Sequence, residues 1–95
     1  MPAVVRRGDA NSAGGVATQG AATVLVNGRG VVPPGASVTP HPCCGSKGCN
    51  AHCNARTTGG SATVFAEGKP IILVGDSDTC RHARAQGSPN VFIGS

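Results

Sequence analysis

One ten-residue phrase recurs in this chain at an offset of 40. Gly20-Ala21-Ala22-Thr23-Val24-Leu25-Val26-Asn27-Gly28-Arg29 matches Gly60-Ser61-Ala62-Thr63-Val64-Phe65-Ala66-Glu67-Gly68-Lys69. A third version, Gly87-Ser88-Pro89-Asn90-Val91-Phe92-Ile93, runs to the end of the sequence. A second element repeats as well: Val5-Arg6-Arg7-Gly8-Asp9 resembles Leu73-Val74-Gly75-Asp76. The same offset sets Gly35-Ala36-Ser37 under Gly75-Asp76-Ser77, so the middle copy has lost the Asp. From Gly8 to Gly20 is 12 residues, from Gly75 to Gly87 is again 12, and from Gly35 to Gly60 is 25. Internal repetition on this scale limits the fold to units that complete one another. We read one domain, 1–95, with copies at about 4–32, 33–72 and 73–95 and an insertion in the middle copy at about 40–53.

Each copy predicts short strands. Segments 23–26, 63–66 and 90–93 are rich in β-branched or aromatic residues and bounded by Gly. Asn27-Gly28 and Glu67-Gly68 follow two of them as turn signals. Val4-Val5 and Ile71 to Val74 read as further strands, and windows 49–58 and 76–86 have room for a single helical turn. The predicted fold class is therefore all-β, with three similar units around a pseudo-threefold axis. Leu25, Phe65 and Phe92 hold equivalent places and are expected to form one layer across that axis, with Val24, Val64 and Val91 on the opposite side. The repeated Asp9 and Asp76 are expected to hold turns by Asx-type bonds.

Composition narrows the choice. The 95 residues include 15 Gly and 7 Pro, two Phe, and no Trp or Tyr. Gly and Pro at that density exclude a helical bundle, and the scarcity of large side chains excludes a large core. Small folds of this kind need a staple: a metal, disulfides or a partner chain. The net charge of +4 is spread over isolated Lys and Arg, with no basic block, so it reads as solubility rather than nucleic-acid binding. The longest aliphatic run, Ile71 to Val74, is far short of a membrane span. No apolar stretch follows Arg6-Arg7, so synthesis in the cytoplasm without a signal peptide is expected. Five Cys in such a product point to metal before disulfides.

Four of the five Cys and two of the three His fall in the insertion. The candidate ligands are His41, Cys43, Cys44, Cys49, His52, Cys53, Cys80 and His82. Thiolate plus imidazole favours zinc in a tetrahedral site. Repeat geometry narrows the set. Cys80 corresponds to Ala13 in the first copy and, counted back from Gly60, to Cys53 in the middle one. The segments between repeats therefore converge at one end of the axis. We expect His52, Cys80, His82 and His41 to hold the metal, with Cys49 the main substitute and the other thiols free, paired or outside the site. Acidic residues number four, and neither a His-Glu-x2-His pattern, a Gly-x-Ser-x-Gly elbow nor a phosphate loop is present. The expected site is structural and closed, and the chain is not an enzyme. A zinc-knuckle spacing with stacking aromatics is likewise missing, which argues against a nucleic-acid partner.

Taken together, the Gly-Asp element, the Gly-Ser-x-Thr-Val phrase with Gly68-Lys69-Pro70, the Cys49-to-His52 element and the Gly87-Ser88-Pro89-Asn90-Val91-Phe92-Ile93 ending resemble the PAAR-repeat proteins over nearly the whole chain. The namesake Pro-Ala-Ala-Arg stretch is degenerate here, as Pro70-Ile71-Ile72-Leu73 and Gly30-Val31-Val32-Pro33, and Ala13 stands where relatives often carry His. The resemblance implies a sharp cone whose base docks on a trimeric valine–glycine-repeat spike. Such spikes belong to type VI secretion systems and contractile phage tails. It also implies a structural zinc near the vertex, held by three His and one Cys. The implied work is to sharpen the spike for piercing a target membrane, with effector cargo attached in some members. Repeat residues span Val4 to Ser95, so a bare tip without a covalent effector is expected. The competing expectation is a small zinc-binding regulator or nucleic-acid adaptor.

Overall fold

The computed structural model describes residues 2–41, 44 and 52–93. It is all-β, with no α-helix among the described residues, and measures 38 × 24 × 21 Å. Two antiparallel hairpins carry the named strands. β1 (Leu25–Val26) pairs with β2 (Arg29–Gly30), and β3 (Phe65–Ala66) pairs with β4 (Lys69–Pro70). Both turns have positive φ at both central residues: 54° and 79° at Asn27-Gly28, 52° and 78° at Glu67-Gly68. Those angles define the type I′ turn, whose twist matches that of the flanking strands.

The third hairpin is completed by the other end of the chain. Val91 O accepts from Val4 N at 3.1 Å, Ala3 bridges Phe92, and Ile93 N donates to Pro2 O at 3.1 Å. The equivalent bonds inside the first two hairpins are Val31 N to Val24 O at 3.1 Å and Ile71 N to Val64 O at 3.4 Å. Residues 2–5 thus serve as the return strand of the third hairpin.

The axis is built from backbone. Val5 N donates to Ile72 O at 3.0 Å, Ile72 N to Val32 O at 2.8 Å, and Val32 N to Val5 O at 3.2 Å. This closed triangle satisfies three buried polar pairs with no edge left over. The three side chains are fully buried and, with Ala17 and Ala36, make one small core. Val4, Val31 and Ile71, with Leu73 and Ala66, make a second core on the hairpin side. A second cycle closes nearer the insertion, where Ala17 bridges Val38, Thr57 bridges Asp78, and Arg84 bridges Asn11.

The expected aromatic layer is not on the axis. Leu25, Phe65 and Phe92 are 57%, 56% and 46% exposed. The paired aliphatic residues of segments 4–5, 31–32 and 71–72 fill the centre, and Val26, Val64, Val91 and Ile93 pack against them. Alternation along a strand separates two faces without saying which one is inside. The window 76–86 also differs from expectation. It forms a hairpin, with Ser77 bridging Ala83 and Arg81 at φ 74°, rather than a helical turn.

The Gly-Asp element does hold a turn. Asp9 Oδ2 accepts from Arg6 N at 2.7 Å, and Asp76 Oδ2 accepts from Leu73 N at 2.9 Å. In the middle copy the donor position is Pro33, which has no N–H, and the acceptor position is Ala36. Thr57 spans the gap there: its hydroxyl accepts from Ala36 N at 3.0 Å and donates to Pro33 O at 2.7 Å.

Candidate metal centre

Beyond the Asn11–Val38–Asp78 level the chain brings His41, His52, Cys80 and His82 together. One ligand atom from each lies within 4.8 Å of all the others. Two elements deliver them. Cys80 and His82 sit on the 76–86 hairpin, where Asp78 N donates to His82 O at 2.8 Å and Arg81 N donates to Asp78 O at 2.9 Å. His41 and His52 lie near the two ends of the insertion and meet through His41 N to His52 O at 3.2 Å. His41 and Cys80 are buried, while His52 and His82 are partly exposed.

Tautomer and distance both suit a cation. Thr39 O can only accept, so His41 Nδ1, at 2.9 Å, carries the proton and Nε2 is left with its lone pair. That Nε2 lies 3.4 Å from Cys80 Sγ and 3.2 Å from His52 Nδ1. A tetrahedral ion with bonds of about 2.0 Å to nitrogen and 2.3 Å to sulfur separates its ligands by roughly 3.3–3.5 Å. The two measured edges fall close to that range. His82 Nδ1 faces Ser12 Oγ at 3.4 Å. The three rings are edge-on or tilted, with centroids 4.8–5.4 Å apart, rather than stacked. Burial, followed by the nearby His82 and His41, holds the His52 pKa below the ordinary histidine range. A low pKa keeps its lone pair free to bind metal near neutral pH.

Of the residues the sequence singled out, Cys49 and Cys43 lie outside the described residues. Cys44 and Cys53 form a disulfide, and Cys80 is a buried free thiol. Three supporting groups were not anticipated: the Thr39 carbonyl, the Ser12 hydroxyl and Gly15. A Cβ on Gly15 would stand 2.5 Å from His41 Nδ1 and 2.7 Å from Val38 Cγ1. The Gly14-Gly15 pair was the only trace of this in the sequence.

Arg84 is a further surprise. It is 1% exposed, at a position that is Ala17 in the first copy and Thr57 in the middle one. Its Nη2 donates to Gly15 O at 2.7 Å, and its Nε is 3.6 Å from Asp78 Oδ1. Asp78 Oδ2 in turn accepts from Asn11 Nδ2 at 2.8 Å. Burial lowers the Arg84 pKa, against the opposing pull of Asp78, Asp9 and Cys80. The interior beneath the cluster is therefore polar, which limits how much apolar burial can hold this end together.

A family model for the PAAR motif matches residues 7–80, most of the chain, including His41, His52 and Cys80 of the cluster and ending two residues before His82. The chain belongs to the PAAR-motif family. A search of the curated proteins gave no match. PAAR proteins are structural components of spike tips in secretion and phage-tail machines, and the all-β fold with a His/Cys cluster is consistent with the family's cone.

Proposed function

We propose that this PAAR protein is a non-enzymatic tip that caps the blunt threefold end of a trimeric β-helical spike. The spike is the valine–glycine-repeat trimer of a type VI secretion system or its counterpart in a contractile tail. One observation carries the reading: Leu25, Phe65 and Phe92 stand exposed at equivalent positions of three units that one chain wraps around a closed backbone triangle. A monomer with that internal symmetry matches a threefold partner without needing two more copies of itself. The three side chains lie on the hairpins, at the end of the stack opposite the His/Cys cluster, as a docking base requires.

At the other end His41, His52, Cys80 and His82 hold one structural zinc. Three imidazoles and a thiolate suit zinc, and four protein ligands close the shell with no open position for catalysis. The ion ties the 76–86 hairpin to the ends of the insertion, where the core is small and partly polar. The protein is made in the cytoplasm and travels with the apparatus, on which it stiffens the point that meets the target membrane.

Mixing the protein with its cognate spike trimer tests the docking half. One chain per trimer is expected to co-elute in size exclusion, and failure to form that complex would overturn it. Metal analysis of protein purified without added metal tests the other half, with about one zinc per chain expected.

A further inference from the structure

The four clustered residues are not equally prearranged. Cys80 and His82 are set by backbone bonds within one short hairpin. His41 and His52 are 11 residues apart and come from opposite ends of the insertion. The Cys44–Cys53 disulfide spans nearly the same segment, with Cα atoms 4.9 Å apart and a sequence separation of 9. Cys53 directly follows His52, and Cys44 N donates to His41 O at 2.8 Å. The covalent link therefore grips both histidines at their own backbone.

We propose that the Cys44–Cys53 pair is a redox clasp that sets how tightly the His/Cys cluster holds its metal. The inference rests on the metal-binding reading above. With the bond closed, the two ends of the insertion are held together before metal arrives. With it open, those ends rest on the backbone bonds that run up to His41 N and His52 O, and metal binding must supply the remaining restraint. The loop-closure relation for a loop of this length sets an upper limit on the order of 100-fold to the difference in affinity. Linkage makes the effect reciprocal: bound metal stabilises the disulfide against reduction by the same factor.

The chemistry needs a thiol oxidant, and glutathione disulfide serves. The thiolate of one cysteine attacks a sulfur of glutathione disulfide and releases one glutathione. The second cysteine then attacks the protein sulfur of the mixed disulfide and releases the other. Two protein thiols are oxidised, one glutathione disulfide is reduced to two glutathiones, and no proton is left over. The clasp is open in a reducing cytosol and closes in an oxidising environment.

The test compares zinc retention against a competing chelator in three samples: oxidised wild type, wild type reduced with a phosphine, and the double variant Cys44→Ser with Cys53→Ser. The reduced protein and the variant are expected to lose zinc at lower chelator concentration than the oxidised protein, by up to roughly 100-fold. Equal retention in all three, or tighter binding after reduction, would overturn the clasp while leaving the zinc site standing. Absence of zinc from the oxidised wild type would overturn the metal reading and the clasp with it. If the variant does not fold, a glutathione redox titration of wild type decides: saturating zinc shifts the midpoint toward the disulfide, and an unchanged midpoint rejects the coupling.

Discussion

At the scale of single residues, the cluster depends on what is missing as much as on its donors. Gly15 is the position in the first copy equivalent to His82 in the last. Its lack of a Cβ leaves room for the His41 ring, which a methyl group would meet at 2.5 Å. Gly15→Ala is therefore expected to displace His41, to destabilise the fold by about 1–3 kcal/mol, and to speed zinc loss. A denaturant melt and a chelator competition on the same sample check both effects. His52 leads to a prediction about pH. Its folded-state pKa is lowered, so below about pH 6.5 the unfolded chain binds a proton that the folded chain resists. Stability from this group is present above that range and is lost as pH falls through it. Melts of the metal-free protein between about pH 8 and pH 5 are expected to show the decline, and a flat profile would remove the His52 contribution.

Among the local elements, one turn is built by two chemistries. In the outer copies a carboxylate reaches back three residues to a backbone N–H. Pro33 and Ala36 leave the middle copy with neither group, and the Thr57 hydroxyl joins the strands instead. Thr57 is 1% exposed, so Thr57→Val keeps the shape and strands a buried amide and a buried carbonyl. The expected cost is about 1–3 kcal/mol, read as a lower denaturant midpoint. The hairpins show a similar exchange. Glu67 occupies a positive φ that favours Asn or Gly, and its carboxylate accepts from the backbone N–H and hydroxyl of Thr23 across the copy boundary. Those bonds hold the Glu67 pKa below the ordinary carboxylate range.

Over the whole molecule, stability and recognition are divided between two ends. Phe65 is more than half exposed, so Phe65→Ala is expected to change stability by about 1 kcal/mol or less. Phe65→Asp leaves the fold intact and weakens association with the spike trimer, which pull-down with wild-type and variant protein measures. A large loss of melting temperature in the alanine variant would place that ring in the core after all. The opposite end responds to chelation. Among the described residues its apolar cluster consists of Val38, Ala55 and Cys80, while Arg84, Asp78 and Asn11 lie buried beneath the clustered residues. Metal removal is expected to lower stability by several kcal/mol, toward the order of 10 kcal/mol seen in small zinc domains. Calorimetry with and without chelator measures it.

The repeat itself carried much of this architecture in the primary sequence. Gly spacing located the turns, Asn27-Gly28 and Glu67-Gly68 signalled two of them, and the 13-residue surplus contains His41 and His52 of the cluster. These are local properties, decided by which φ a residue tolerates and by count along the chain. The face that Leu25, Phe65 and Phe92 present was not decided there. Alternation is symmetric between inside and outside until another segment occupies the centre, and residues 4–5, 31–32 and 71–72 do so. The use of residues 2–5 to complete the third hairpin, the burial of Arg84, the pairing of Cys44 with Cys53 and the space left by Gly15 also belong to tertiary structure. Each depends on atoms far apart in sequence meeting at a few ångströms, and only closure of the threefold arrangement brings them there.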